Sequence, residues 1–200
     1  MKGYTKPVFL IILVLLTDQV LKTWIKTNMY IGQEFQIIQD FFIIHFTENN
    51  GMAFGMEFGG ELGKLALSLF RIIAVIGIGY GLHHLIKHKY HRGLILNVSL
   101  IFAGALGNII DSVFYGLIYG YEKLFHGRVV DMFYFPIFTG VFPEWLPVWG
   151  GEDFIFFRPV FNIADAAISV GVILILIYQK VYFKEEIVEA PSTNSEVIED

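Results

Sequence analysis

The chain has 200 residues, 55% of them hydrophobic and only 16% charged, with a mean hydropathy of +0.59, which excludes a globular protein with an ordinary polar surface. Fourteen Lys and Arg against 19 Asp and Glu give a net charge of −5 and no basic stripe, so nucleic acid is not a partner. With no cysteine, disulfides, thiolate zinc sites and a cysteine nucleophile are excluded together.

A helix needs about 20 mostly apolar residues to cross a bilayer. The first such segment is Pro7–Trp24. Lys2 and Lys6 precede it as in a secretory leader, but Asp18, Gln19 and Lys22 follow where small residues of a cleavage site belong, so a retained helix is expected. Residues 27–64 form an outer segment in which FQIIQDFFIIHF and a glycine-rich close predict short strands bounded by turns. Leu65–Ile86 and Leu94–Leu117 are the second and third spans, joined by KHKYHR (87–92). A second outer segment, 118–158, is rich in Pro, Gly and Trp and reads as loop, with Trp145 and Trp149 suited to the headgroup layer. The fourth span is Pro159–Tyr178, and 184–200 reads as a disordered tail. Residues 1–183 thus form one membrane-embedded domain.

Basic residues fix the orientation. Lys2, Lys6 and the 87–92 loop place both termini in the cytoplasm, while the acid-bearing outer segments face the other way. The pairs of small residues in Gly77–Gly81 and Ala103–Gly107 predict close helix approach.

Each ionisable group inside a span needs an explanation, because insertion costs about 2.5–3.5 kcal/mol. Asp18 and Lys22, one turn apart, read as a structural ion pair with Lys22 snorkelling outward, and Arg71 is expected to snorkel too. His84, His88 and His91 share a helical face, but amid Lys87, Lys89 and Arg92 a solvated basic loop is the simpler reading than a metal site. The informative cluster is Asn108 and Asp111 on the third span, Asp131 beyond its outer end, and Asn162 and Asp165 at the start of the fourth. Any one acid could be a cap or a buried hydrogen-bonded group. If Asp131 and Asp165 meet, however, two adjacent carboxylates share one proton. The ionised member can then deprotonate water while the neutral one donates to a scissile carbonyl, which is aspartic-protease chemistry needing no metal or cofactor. The sequence has no HExxH and no GxSxG, and its six serines lack an evident base, apart from a remote Ser–Lys scheme through Lys22.

Five motifs run in order over Thr17–Ile168: TDQVLK (17–22), ENNGMAFG (48–55), GALGNIID (104–111), GRVVD (127–131) and FNIADAAI (161–168). In this the chain resembles the bacterial lipoprotein signal peptidases, or signal peptidase II. The resemblance implies an inner-membrane, multi-pass aspartyl endopeptidase acting as a monomer on diacylglyceryl-modified prolipoproteins among membrane lipids, cutting just before the lipidated cysteine. It also implies four transmembrane helices, a small periplasmic β-cradle and a membrane-lying amphipathic segment, with the active site toward the periplasm. Asp131 and Asp165 match the catalytic pair. Asp18, Lys22, Asn49, Gly51, Asn108, Asp111 and Asn162 match supporting or substrate-binding positions. The family places Arg directly after the aspartate of GN..D. Here Ser112 stands there, so that guanidinium is missing or replaced, with Arg128 and Arg158 as candidates. YGYEKLFH before GRVVD is a further departure.

Two other classes also accommodate membrane acids. A proton-coupled transporter would spread polar groups through the bilayer depth, and a non-catalytic scaffold would need only the small-residue faces. Concentration of the acids toward one membrane face favours the enzyme.

Overall fold

A computed structural model of the chain describes residues 3–39, 41–50, 60–156 and 159–183. Among the described residues, four helices are long and apolar enough to span a membrane: α1 (Thr5–Asn28), α2 (Gly60–Lys87), α3 (Arg92–Ile118) and α4 (Ile163–Tyr182). At 1.5 Å per residue even the 20 residues of α4 reach about 30 Å. Phe9, Ile12, Leu16 and Val20 on α1 and Phe70, Ile73 and Ile76 on α2 point outward, as lipid-facing residues must. The opposite face of α1 buries Asp18, Lys22 and Ile25, spaced four and three apart.

All six strands lie at one end of the bundle. β1 (Glu34–Ile38) and β2 (Phe42–Asn49) follow α1, and β3 (Val129–Tyr134) follows α3. A hairpin of β4 (Phe138–Val141) and β5 (Asp153–Phe156) comes next, then β6 (Val160–Phe161) before α4. The main sheet has the order β1-β2-β3-β6, antiparallel throughout. Ile25 of α1, Met29 just beyond its end, Phe46 of β2, Tyr115 of α3, and Val130 and Met132 of β3 form the core that seats this sheet on the helix ends.

The strands expected between residues 27 and 64 are present as β1 and β2. Two expectations need correction. Residues 118–158, read as loop, carry β3, β4 and β5, because VVDMFY is too short for its apolar run to declare a period. The fourth helix starts at Ile163, not at Pro159, since Val160 and Phe161 pair with Tyr134 and Phe133.

The small-residue pattern is also split. On α3, a Cβ built at Gly104 would stand 2.2 Å from the Ala164 carbonyl oxygen, and one at Gly107 2.8 Å from Asp18 Oδ2. α4 and α1 therefore approach α3 where a side chain would stand. On α2, Gly77 and Gly81 meet nothing within 4 Å among the described residues, and the close approach to α3 falls at Gly79 between them, where a Cβ would lie 3.0 Å from the Phe102 ring. The YGYEKLFH stretch has a structural use. Lys26 pairs with Glu48 and lies 4.4 Å from the Tyr121 ring centroid, while the Tyr121 hydroxyl accepts from Arg128 N at 2.8 Å, which joins the end of α1 to β2 and the approach to β3.

Gly104→Leu is expected to destabilise the protein by about 1–3 kcal/mol or more, because the carbonyl it meets belongs to the backbone of α4. Thermal unfolding in detergent measures this, and Gly77→Leu, which meets open space, serves as the control with little change.

Candidate active site

The site grows from a buried ammonium. Lys22 is 0% exposed and its Nζ has three acceptors: Asp18 Oδ2 at 2.9 Å, Asp111 Oδ2 at 2.8 Å and Asn108 Oδ1 at 3.0 Å. Three donors meet three acceptors, so burial leaves no proton unpaired. The ion pair with Asp18 is as expected, but Lys22 points into the bundle and does not snorkel.

Each acceptor carries the network onward. Asp18 Oδ1 accepts from Ala164 N at 2.9 Å, holding the first turn of α4. Asp111 Oδ2 accepts from Val130 N at 3.3 Å, holding β3 one residue before Asp131. Asn108 Nδ2 donates to Asp165 Oδ1 at 2.8 Å.

Asp111 and Ser112 begin a π-helical turn in α3, Asp111–Tyr115. Its widening presents the Ser112 and Val113 carbonyls to Gly127 N at 2.9 Å and Phe125 N at 3.0 Å. Gly127 is required there, because a Cβ would lie 2.0 Å from the Asp111 carbonyl oxygen. The glycine of GRVVD thus lets β3 lie close against the polar end of α3.

Asn162 joins the two remaining acids. Its Nδ2 donates to Asp131 Oδ1 at 2.7 Å and to Val130 O and Asn108 Oδ1 at 3.2 Å each. Its Oδ1 accepts from Asp165 N at 2.9 Å, and its own N donates to Asp165 Oδ2 at 3.2 Å, a reciprocal capping box at the start of α4. The capping reading of Asn162 and Asp165 therefore holds together with their membership of the cluster. Asn49, from β2, donates to Asp131 Oδ2.

Asp131 is 2% exposed, and its carboxyl is pushed up to about 7. Burial is the main cause and the charge of Asp165 adds to it; Lys22, Asn162 and Asn49 act the other way without overcoming it. Asp165 is partly exposed, so the pair has one sheltered and one accessible member.

The structure brings together Asp18, Lys22, Asn49, Asn108, Asp111, Asp131, Asn162 and Asp165. Gly51 lies outside the described residues, as does Arg158. Arg128 is turned toward Glu48 and the Tyr121 ring, 3.9 Å and 5.7 Å away. The guanidinium that reaches Ser112 comes from Arg71 on α2, whose Nη1 donates to Ser112 Oγ at 3.2 Å, so Arg71 is directed inward and not to the headgroups. Gln19, which carries no charge and so does not stand out among the ionisable groups of the spans, also belongs to the network. Its Nε2 donates to Asp18 Oδ2 at 3.1 Å, Gly107 O at 3.2 Å and Asp111 Oδ1 at 2.9 Å, and its Oε1 accepts from the Tyr115 hydroxyl at 3.1 Å. A carboxamide beside Asp18 in an apolar span was the available signal.

The family model for signal peptidase (SPase) II matches residues 10–181. The chain belongs to the signal peptidase II family. Lipoprotein signal peptidases of two Porphyromonas gingivalis strains, ATCC 33277 and W83, are each 53% identical over 184 residues, covering 84% of this chain and 80% of theirs. That of Amoebophilus asiaticus is 36% identical over 200 residues, covering 94% and 84%. A bacterial membrane enzyme solved by the in meso method at 2.3 Å superposes with a TM-score of 0.62 at 30% identity, covering 90% of this chain and 92% of that one. As a signal peptidase II, the protein is an aspartic-type peptidase and a multi-pass protein of the bacterial inner membrane.

Replacing Lys22 with Met in this signal peptidase II leaves Asp18 and Asp111 buried without their cation, with an expected loss of about 3–5 kcal/mol. Unfolding in detergent measures it. Adding Asp111→Asn to Lys22→Met should recover part of the loss, whereas equal stability of Lys22→Met and the parent protein would show that the ammonium holds nothing together.

Proposed function

We propose that this lipoprotein signal peptidase removes the signal peptide from diacylglyceryl-modified prolipoproteins by using Asp131 and Asp165 as its catalytic pair, cutting just before the lipidated cysteine. The observation that supports this most directly is the shared partner: Asn162 is hydrogen-bonded to both carboxyl groups.

At rest Asp131, sheltered, holds the proton and Asp165 is ionised. Asp165 accepts a proton from water as the water oxygen attacks the scissile carbonyl carbon, and Asp131 donates its proton to the carbonyl oxygen. The tetrahedral intermediate collapses with return of that proton to Asp131. The peptide C–N bond breaks, and Asp165 delivers the proton it took to the departing amine of the lipidated cysteine. The pair thereby regains its starting protonation. Asn162 keeps the pair in register, Asn108 and Asn49 hold its outer oxygens, and Asp18, Lys22 and Asp111 support the frame. Gly51, outside the described residues, is assigned to substrate contact.

The membrane setting supports the same reading. Every strand and the aspartate pair sit at the bundle end opposite Lys6, Lys87, Lys89, Arg92 and Lys180. The basic end faces the cytoplasm with both termini, and the site faces the periplasm. Residues 1–183 act as one peptidase domain, with 184–200, outside the described residues, as a cytoplasmic tail. Trp145, Val148 and Trp149, 78%, 69% and 55% exposed, support a position of the β4–β5 connection among lipid headgroups. A substrate anchored by a signal helix and two acyl chains reaches such a site by lateral diffusion. The proposed active unit is a monomer.

Asp131→Asn and Asp165→Asn are each expected to remain folded and to lose about a hundred- to ten-thousand-fold in prolipoprotein cleavage, since an amide cannot exchange protons in either role. Near-normal cleavage by either variant would overturn the pair. The raised Asp131 carboxyl also fixes a sign. Raising the pH through about 7 removes the proton that must be donated, so kcat/KM falls on that alkaline limb toward tenfold per unit. A profile still flat at pH 9 would show that Asp131 is not the acid.

A further inference from the structure

We propose that Arg71 of α2, seated on Ser112, is a positioning residue for the aspartate pair, the cation that offsets the charge of the singly ionised pair. This rests on the assignment of Asp131 and Asp165 above.

The Ser112 side chain fixes where the guanidinium sits. It is buried, and its hydroxyl donates its only proton to Asn108 O at 2.9 Å. What remains is a lone pair, which accepts from Arg71 Nη1 at 3.2 Å. Ser112 also lies in the π-helical turn, so its position relative to Asp111 is set by backbone. From that seat Arg71, itself largely buried, lies within electrostatic reach of Asp165, Asp111 and Asp131.

The other charges are already committed. Lys22 is surrounded by Asp18, Asp111 and Asn108. Lys26 and Arg128 are turned to Glu48 and the tyrosines. Lys64 of α2 donates to Asn50 Oδ1 at 2.8 Å. Among the described residues, the charged groups facing the pair are therefore Asp18 and Lys22 from α1, Arg71 from α2 and Asp111 from α3. Lys22 is balanced by two carboxylates, so Arg71 is the cation whose field reaches Asp165 with least cancellation. A positive charge there favours ionisation of one member without competing for the oxygens that Asn108 and Asn162 occupy. The departure from the family motif then has a physical meaning. The site keeps a guanidinium beside the aspartate of GN..D but takes it from a neighbouring helix, and the short side chain at 112 is its hydrogen-bonded seat.

The test is the pH profile of prolipoprotein cleavage by the full chain in detergent, with thermal unfolding alongside. Arg71→Gln is expected to displace the whole profile to higher pH by about one unit, so that kcat/KM falls about tenfold on the acid limb while the alkaline limb extends upward by the same interval. Arg71→Lys keeps the charge and should keep the profile within about 0.3 unit. Arg71→Gln with Ser112→Arg returns a guanidinium from α3 and should restore the profile. A purely structural role predicts instead a lower unfolding temperature with the profile unmoved, and that result overturns the proposal. An Arg71→Gln profile coincident with the parent's, or a double variant that folds yet keeps the displaced profile, overturns it as well. Failure here is separable from failure of the aspartate pair, because Asp131→Asn and Asp165→Asn remain inactive in the first case and active in the second.

Discussion

The buried ammonium of Lys22 is the constraint from which the rest of the site follows. An uncompensated cation in the interior of a membrane bundle has no water to turn to, so its three protons must meet three acceptors. Asp18 supplies one from the same helix, and Asp111 and Asn108 supply the others from α3. Each acceptor has a second oxygen, nitrogen or lone pair left over, and these reach Ala164 N, Val130 N, Asp165 and Asn162. One ammonium therefore sets the relative positions of α1, α3, α4 and β3. Asp131 and Asp165 come from two of those four elements.

Around this anchor the backbone is adapted in three places. The π-helical turn at Asp111–Tyr115 frees carbonyls that receive the segment leading into β3. Gly104 and Gly107 let α4 and α1 close on α3, and Gly127 lets the strand pass the Asp111 carbonyl. Asn162 then serves two ends at once, capping α4 and donating to Asp131. A helix cap is ordinarily a matter of satisfying orphan N–H groups. Here one residue does both: its side chain caps α4 and donates to the Asp131 carboxyl, while its backbone N donates to the Asp165 carboxyl.

The two carboxyl groups differ in environment although their chemistry is the same. Asp131 is enclosed between strand and helix, which raises its affinity for a proton, and Asp165 lies nearer the open side. The proposed mechanism draws on that asymmetry, with one member donating while the other accepts. Around them polar groups concentrate at the sheet end of the bundle, and lipid-facing surfaces of α1 and α2 remain apolar. The arrangement suits a hydrolytic site at a membrane boundary better than a path through the bilayer depth.

By itself the sequence determined the four spans, the end of the bundle at which the acids gather, and most members of the network. Runs of about 20 apolar residues have few other solutions, and a polar residue inside such a run is conspicuous. Asp18, Lys22, Asn108, Asp111, Asn162 and Asp165 were legible for that reason. What only the tertiary structure decided was direction and partnership: that Lys22 turns inward, that Arg71 and not Arg128 meets Ser112, that Gln19 and Tyr115 join the site, and that VVDMFY and Val160–Phe161 are strands. Side-chain direction at a given position depends on which acceptors other elements bring near, and strand pairing depends on a partner distant in the chain. Neither is encoded in local periodicity, so both had to wait for the fold.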